Sequence, residues 1–77
     1  MTQREFTERF AEIVSAEPTS LTTQTKMADI AGWDSVALLS AMILIDSELG
    51  VTIRPEALSQ ATTFGDILNA VSGKLTN

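Results

Sequence analysis

Gly32-Trp33-Asp34-Ser35 closes a stretch with no regular apolar spacing and leads directly into VALLSAMILIDSELG (residues 36–50), a strongly helix-compatible run that ends on a glycine. An aspartate ahead of such a run is an N-cap, because its carboxylate accepts hydrogen bonds from first-turn N–H groups that have no intrahelical partner. Gly50 supplies the matching C-terminal cap. The pattern predicts a helix over residues 35–49 with Ser35 in its first turn.

Upstream, Thr2-Gln3-Arg4-Glu5 has the form of a capping box. Phe6, Phe10, Ile13 and Val14 then recur at helical spacing until Glu17-Pro18, which predicts a first helix over residues 3–16. From Pro18 to Trp33 the chain is rich in Thr, Ser, Gln and small residues and no period holds. A connection of that length is unusual in a compact domain unless it packs its own anchors or carries function. Leu21, Met27, Ile30 and Trp33 are the candidate anchors, so the loop is expected to be ordered over the end of the bundle.

Downstream, Val51-Thr52-Ile53-Arg54 alternates like a strand but is short and runs into Pro55. It reads as a linker with Val51 and Ile53 turned inward. Pro55-Glu56-Ala57-Leu58 places proline at a first helical position and predicts a short third helix ending before Ala61. Thr63-Phe64-Gly65-Asp66 repeats the capping-box form, and Ile67, Leu68, Val71 and Leu75 give the last helix its apolar face. No internal repeat or low-complexity segment interrupts the chain. The reading is an all-α, small four-helix bundle with a short third helix and a long ordered first loop, one domain over residues 1–77.

Composition narrows the chemistry. With 77 residues the chain has room for one small core, and a hydrophobic fraction of 44% beside 19% charged residues is globular in character. Cysteine and histidine are both absent, which removes structural zinc, disulfides, thiolate nucleophiles and every Ser-His arrangement. Any nucleophile here must take its base from another protein. A net charge of −5 at pH 7 is the wrong sign for tracking phosphate backbones or anionic lipid, so neither nucleic acid nor membrane is expected as a partner. The charged N-terminus lacks a signal-peptide stretch, and the apolar run Val36 to Ile45 is too short to span a bilayer, so a cytoplasmic monomer is expected.

Only Asp34-Ser35 looks arranged for chemistry. By itself the pair needs no function beyond capping. Its surroundings change that reading. Asp29-Ile30-Ala31-Gly32-Trp33-Asp34-Ser35-Val36 resembles the signature of acyl and peptidyl carrier proteins of the free-standing type, in which a loop ending in Gly-x-Asp-Ser-Leu presents a phosphopantetheinylated serine. Glu48-Leu49-Gly50-Val51-Thr52-Ile53 resembles the end of that family's second helix, and Thr62-Thr63-Phe64-Gly65-Asp66-Ile67 the start of its last. The likeness covers almost the whole chain without a large insertion.

The resemblance implies a non-catalytic carrier. Ser35 would bear a covalent 4′-phosphopantetheine arm, attached by a phosphopantetheinyl transferase that uses coenzyme A and a divalent metal. Acyl or aminoacyl cargo would travel as a thioester between an activating ligase and downstream synthases. Physical chemistry agrees with the placement, since a phosphodiester at the first turn of a helix sits near free N–H groups and the positive end of the dipole. The residue pattern itself predicts Asp34 as the helix cap. The resemblance alone adds a role in recognition by the transferase.

The chain departs from the family at Val36, where leucine is most frequent, and at Trp33, bulky where smaller residues are common and readable as a loop anchor or as a partner contact. After Asp34 its second helix carries only Asp46 and Glu48 as acids. Ala37, Ser40 and Ser47 stand where acids are frequent, which points toward a specialised pathway rather than central fatty-acid synthesis. At about 100° per residue, Leu38, Ala41, Met42, Ile45 and Leu49 share one sector of this helix and make its core stripe. Val36, Leu39 and Ile43 share another, beside Ser40, Asp46 and Ser47. Val36 and Ile43 are expected on a partner-docking face, with Asp46 and Glu48 steering weakly. Leu39 stands between that face and a place under the long loop. A small helical adaptor module without covalent modification is the alternative reading, and an enzyme has no acid-base pair or metal cluster to support it.

Overall fold

The computed structural model describes residues 1–76; Asn77, the last residue of the expected domain extent, lies outside them. The elements in chain order are α1 (Gln3–Val14), a 3-10 turn at Pro18–Ser20, a second at Met27–Asp29, α2 (Ser35–Leu49), α3 (Pro55–Ser59), α4 (Phe64–Val71) and a last 3-10 turn at Ser72–Lys74. Among the described residues there is no strand. The all-α expectation holds, as do the bounds of α2 and the shortness of α3.

Both capping boxes form. Thr2 accepts from the Glu5 N–H at 3.1 Å while the Glu5 carboxylate accepts from the Thr2 N–H at 2.9 Å. At α4 the Thr63 hydroxyl accepts from the Asp66 N–H at 3.3 Å, and Asp66 accepts from the N–H groups of Thr63 at 3.1 Å and Thr62 at 2.9 Å. Each box satisfies one orphan donor of the first turn together with the N–H of its cap residue.

α1 ends two residues earlier than its apolar spacing predicts. Ser15 takes a left-handed conformation (φ 57°, ψ 42°), its N–H bonds to Glu12 at 3.3 Å, and the Ala16 N–H reaches back to Ala11 at 2.9 Å. This is a Schellman closure built without glycine. α4 likewise stops at Val71, and the expected helical residue Leu75 lies past the last 3-10 turn, half-buried against the core.

The core gathers around three rings. Phe10 lies 5.0 Å from Phe64 and 6.3 Å from Phe6, and all three are fully buried with Ile45, Leu58, Ile67 and Val71 around them. Rings at such separations add to plain area burial. α2 contributes Ala37, Ala41, Leu44 and Ile45 as its buried residues. The core stripe read from sequence is therefore rotated: Ala37 and Leu44 belong to it, while Leu38, Met42 and Leu49 flank it half-buried. Val51 and Ile53 also pack half-buried against the core, as expected of an inward-facing linker.

The long first loop is ordered by anchors and by backbone. Leu21, Met27 and Ile30 are buried and Trp33 is half-buried with its ring 5.4 Å from Phe10. The loop also pairs with the α3–α4 junction. The Met27 N–H donates to Thr62 O at 2.9 Å, Phe64 N–H to Thr25 O at 2.8 Å, and Gly65 N–H to Thr23 O at 3.1 Å. Gly65 lies so close to Thr23 that a Cβ there would come within 2.5 Å of the carbonyl oxygen.

Candidate functional site

Asp34 and Ser35 stand at the N-terminus of α2. Asp34 is extended (φ −143°, ψ −172°), its Oδ1 accepts from the Ala37 N–H at 2.8 Å, and its carbonyl accepts from the Leu38 N–H at 2.9 Å. Ser35 follows as the first helical residue, exposed, and among the described residues its hydroxyl makes no hydrogen bond to protein. The backbone N–H groups of Ser35 and Val36 likewise have no protein acceptor among the described residues. Two free donors and the positive end of a 15-residue helix thus surround an unengaged hydroxyl, an environment that favours a phosphate ester.

One side of α2 is apolar and open to solvent. Val36 is 69% exposed, Leu39 58% and Ile43 68%. Leu39, left open by sequence, therefore lies on the outer face with the other two rather than under the loop. Asp46 continues this side and shares with Met42, Ile43, Thr52 and Ile53 a shallow cleft of about 180 Å³ between α2 and the linker. That cleft was not legible as part of the face, although the inward reading of Ile53 pointed at its wall. Glu48 sits elsewhere: it lines a groove with Glu5, Glu8, Arg9 and Glu12 of α1. Ala37 is buried, so its want of a charge reflects the core. No helix among the described residues is long and apolar enough to cross a membrane.

In a chain without histidine or cysteine, the exposed Ser35 has no base of its own to activate it. The family model for the phosphopantetheine attachment site matches residues 4–71. The chain is 31% identical over 61 residues to the acyl carrier protein MbtL of Mycolicibacterium paratuberculosis, covering 79% of this chain and 68% of that protein. It is 30% identical over 69 residues to MbtL of a Mycobacterium species (strain MCS), covering 90% and 78% of the two chains. The acyl carrier protein of Thermotoga maritima is 29% identical over 65 residues, 84% of this chain and 80% of that one. The chain belongs to the phosphopantetheine-attachment family: it is a non-catalytic carrier protein whose cofactor is covalent phosphopantetheine. Membership implies a phosphopantetheinyl transferase and acyl-handling enzymes as partners.

Proposed function

We propose that Ser35 takes the arm. The observation that carries this reading is the exposed, unengaged Ser35 hydroxyl at the first position of α2, beside two free N–H groups. In the transfer the serine oxygen attacks the phosphorus that bears the pantetheine arm in coenzyme A. The hydroxyl proton passes to a base of the transferase, and adenosine bisphosphate leaves. This chain's part is to hold the hydroxyl out and to stabilise the resulting phosphodiester at the helix start. Incubation with coenzyme A and a broad-specificity transferase is expected to raise the intact mass by one phosphopantetheine, and Ser35→Ala to abolish the gain. Modification of Ser35→Ala at the parent's rate would exclude Ser35. A folded parent that is never modified would leave the adaptor reading.

The exposed Val36, Leu39 and Ile43 side chains support a docking strip for partner enzymes that begins one residue from the attachment point. Asp34 serves the transferase through the cap that fixes Ser35, and Asp46 adds weak steering at the far end of the strip, worth little at physiological salt. The relatives are named acyl carrier proteins, which favours acyl over aminoacyl cargo, loaded by an acyl-activating ligase and handed to downstream synthases. With Ser40 and Ser47 in place of acids, α2 presents a face with less charge than a carrier of central fatty-acid synthesis would need, which supports a specialised pathway. Tethering makes each delivery quasi-intramolecular, so the advantage is one of effective concentration.

A further inference from the structure

We infer that Gly32 is a positioning residue for the modification of Ser35, through a backbone contact that seats the serine-bearing segment on the end of α1. The inference rests on the reading of Ser35 proposed above. A Cβ built on Gly32 would overlap the carbonyl oxygen of Val14 and come within 2.8 Å of its carbonyl carbon and 3.0 Å of its Cα. All three are main-chain atoms of the last helical residue of α1, held by the Schellman closure at Ser15 and Ala16. They cannot swing aside as the tip of a side chain would. A side chain of any size at position 32 therefore separates the loop from α1. The geometry asks for glycine because of this approach and not for a positive φ, which among the described glycines occurs at Gly50.

The next residue fixes the same segment by a second contact. The Trp33 N–H closes a turn onto Ile30 O at 3.0 Å, and the indole lies 5.4 Å from the Phe10 ring, also on α1. Asp34 and Ser35 follow immediately. The N-cap sets the hydroxyl relative to α2, whereas Gly32 and Trp33 set where the turn before the cap runs across α1. A transferase that docks on the strip of α2 while approaching the serine from the loop side must meet both surfaces in register. Displacing the turn leaves the hydroxyl and the strip together on α2 and moves against them the loop surface that the transferase meets on its way to the serine. The loss is then expected in kcat, because a displaced loop holds the docked transferase off the serine and a misplacement of reacting groups by about 1 Å costs on the order of a hundredfold, while KM for the carrier, set by the intact strip, stays near the parent's.

The experiment compares transferase kinetics, with coenzyme A and intact-mass readout, for the parent, Gly32→Ala, Trp33→Ala, Trp33→Phe and Leu68→Ala. Leu68 is a buried residue of α4 and controls for lost stability. All are assayed at a temperature where circular dichroism shows each to be folded. Gly32→Ala and Trp33→Ala are expected to lose at least tenfold in kcat with KM little changed, Trp33→Phe to recover most of the rate, and Leu68→Ala to match the parent. Should Gly32→Ala not fold, the Trp33 pair decides by the same criterion. Parent-level kcat in Gly32→Ala, a loss confined to KM, or an equal loss in Leu68→Ala would overturn the positioning role. A parent that is never modified would instead remove the reading of Ser35 itself.

Discussion

Asp34 Oδ1 receives the Ala37 N–H at 2.8 Å, and this one bond separates the two neighbouring polar residues at the start of α2 into different roles. Asp34→Ala is expected to cost about 1 kcal/mol of stability, the usual worth of an N-cap. Ser35→Ala should stay within about 0.5 kcal/mol of the parent, because the exposed Ser35 hydroxyl holds no partner. Urea denaturation of the two variants checks the split, and equal losses would refute it.

Val36→Asp, Leu39→Asp and Ile43→Asp are each expected to keep the parent's melting temperature, since these side chains stand in solvent. Each should lower kcat/KM for transfer of the arm by about tenfold or more, equivalent to about 1.4 kcal/mol of lost contact. The loss should change little between low and physiological salt, as screening acts on charges and the strip carries few. A drop of several degrees in melting temperature, or full rates with every partner, would remove the strip.

Much of this could be read from the residues alone. Two capping boxes, a proline at the start of α3 and a glycine at the end of α2 mark helix boundaries by local chemistry, and these boundaries stand. Ser35 lies at one of them, so its placement at a helix start was legible too. The inner face of α2 was harder. VALLSAMILIDSEL is apolar nearly all the way round, so periodicity could not tell Leu38 and Met42 on the flank from Ala37 and Leu44 in the core. The early stop of α1 was hidden because Ser15 closes it where a glycine would have announced the turn. Nor does any local pattern tell that residues 23–27 pair with 62–65, since that contact is made between segments far apart in sequence.

Ser15 offers a separate test. A non-glycine residue in the left-handed region carries a steric cost of roughly 1–2 kcal/mol, and Ser15 sits there at φ 57°. Ser15→Gly relieves it, less the greater freedom that glycine gains in the unfolded chain. The expected net gain is about 0.5–1 kcal/mol, or a few degrees in melting temperature for a chain of this size. Differential scanning calorimetry reads it directly, and an unchanged or lowered transition would contradict the strain.

Acid should weaken the fold through the two capping boxes. The backbone N–H of Thr2, aided by its hydroxyl, holds the Glu5 carboxyl below its ordinary 4.5. The N–H groups of Thr62 and Thr63 hold that of Asp66 below 3.8. Both groups have a lower value folded than unfolded, so the unfolded chain binds more protons as the pH drops. Their contribution is complete above the ordinary values and is lost as pH falls from there through the lowered ones. Urea midpoints followed from neutral to acid pH should fall less steeply for Asp66→Asn than for the parent, starting from a lower value at neutral pH. Parallel curves would exclude Asp66 as a source of the acid limb.

The pairing of Thr23, Thr25 and Met27 with Thr62, Phe64 and Gly65 also sets an order of events during synthesis. A nascent chain that has emerged as far as α2 already contains its serine, yet the backbone partners of its first loop are still some thirty residues behind, inside the ribosome. Until they arrive the loop has no ladder to close on, and its middle is held only by whatever apolar collapse α1 and α2 can manage. The first loop thus acquires its paired geometry late, when the start of α4 is in place, although Ser35 at its end was made well before.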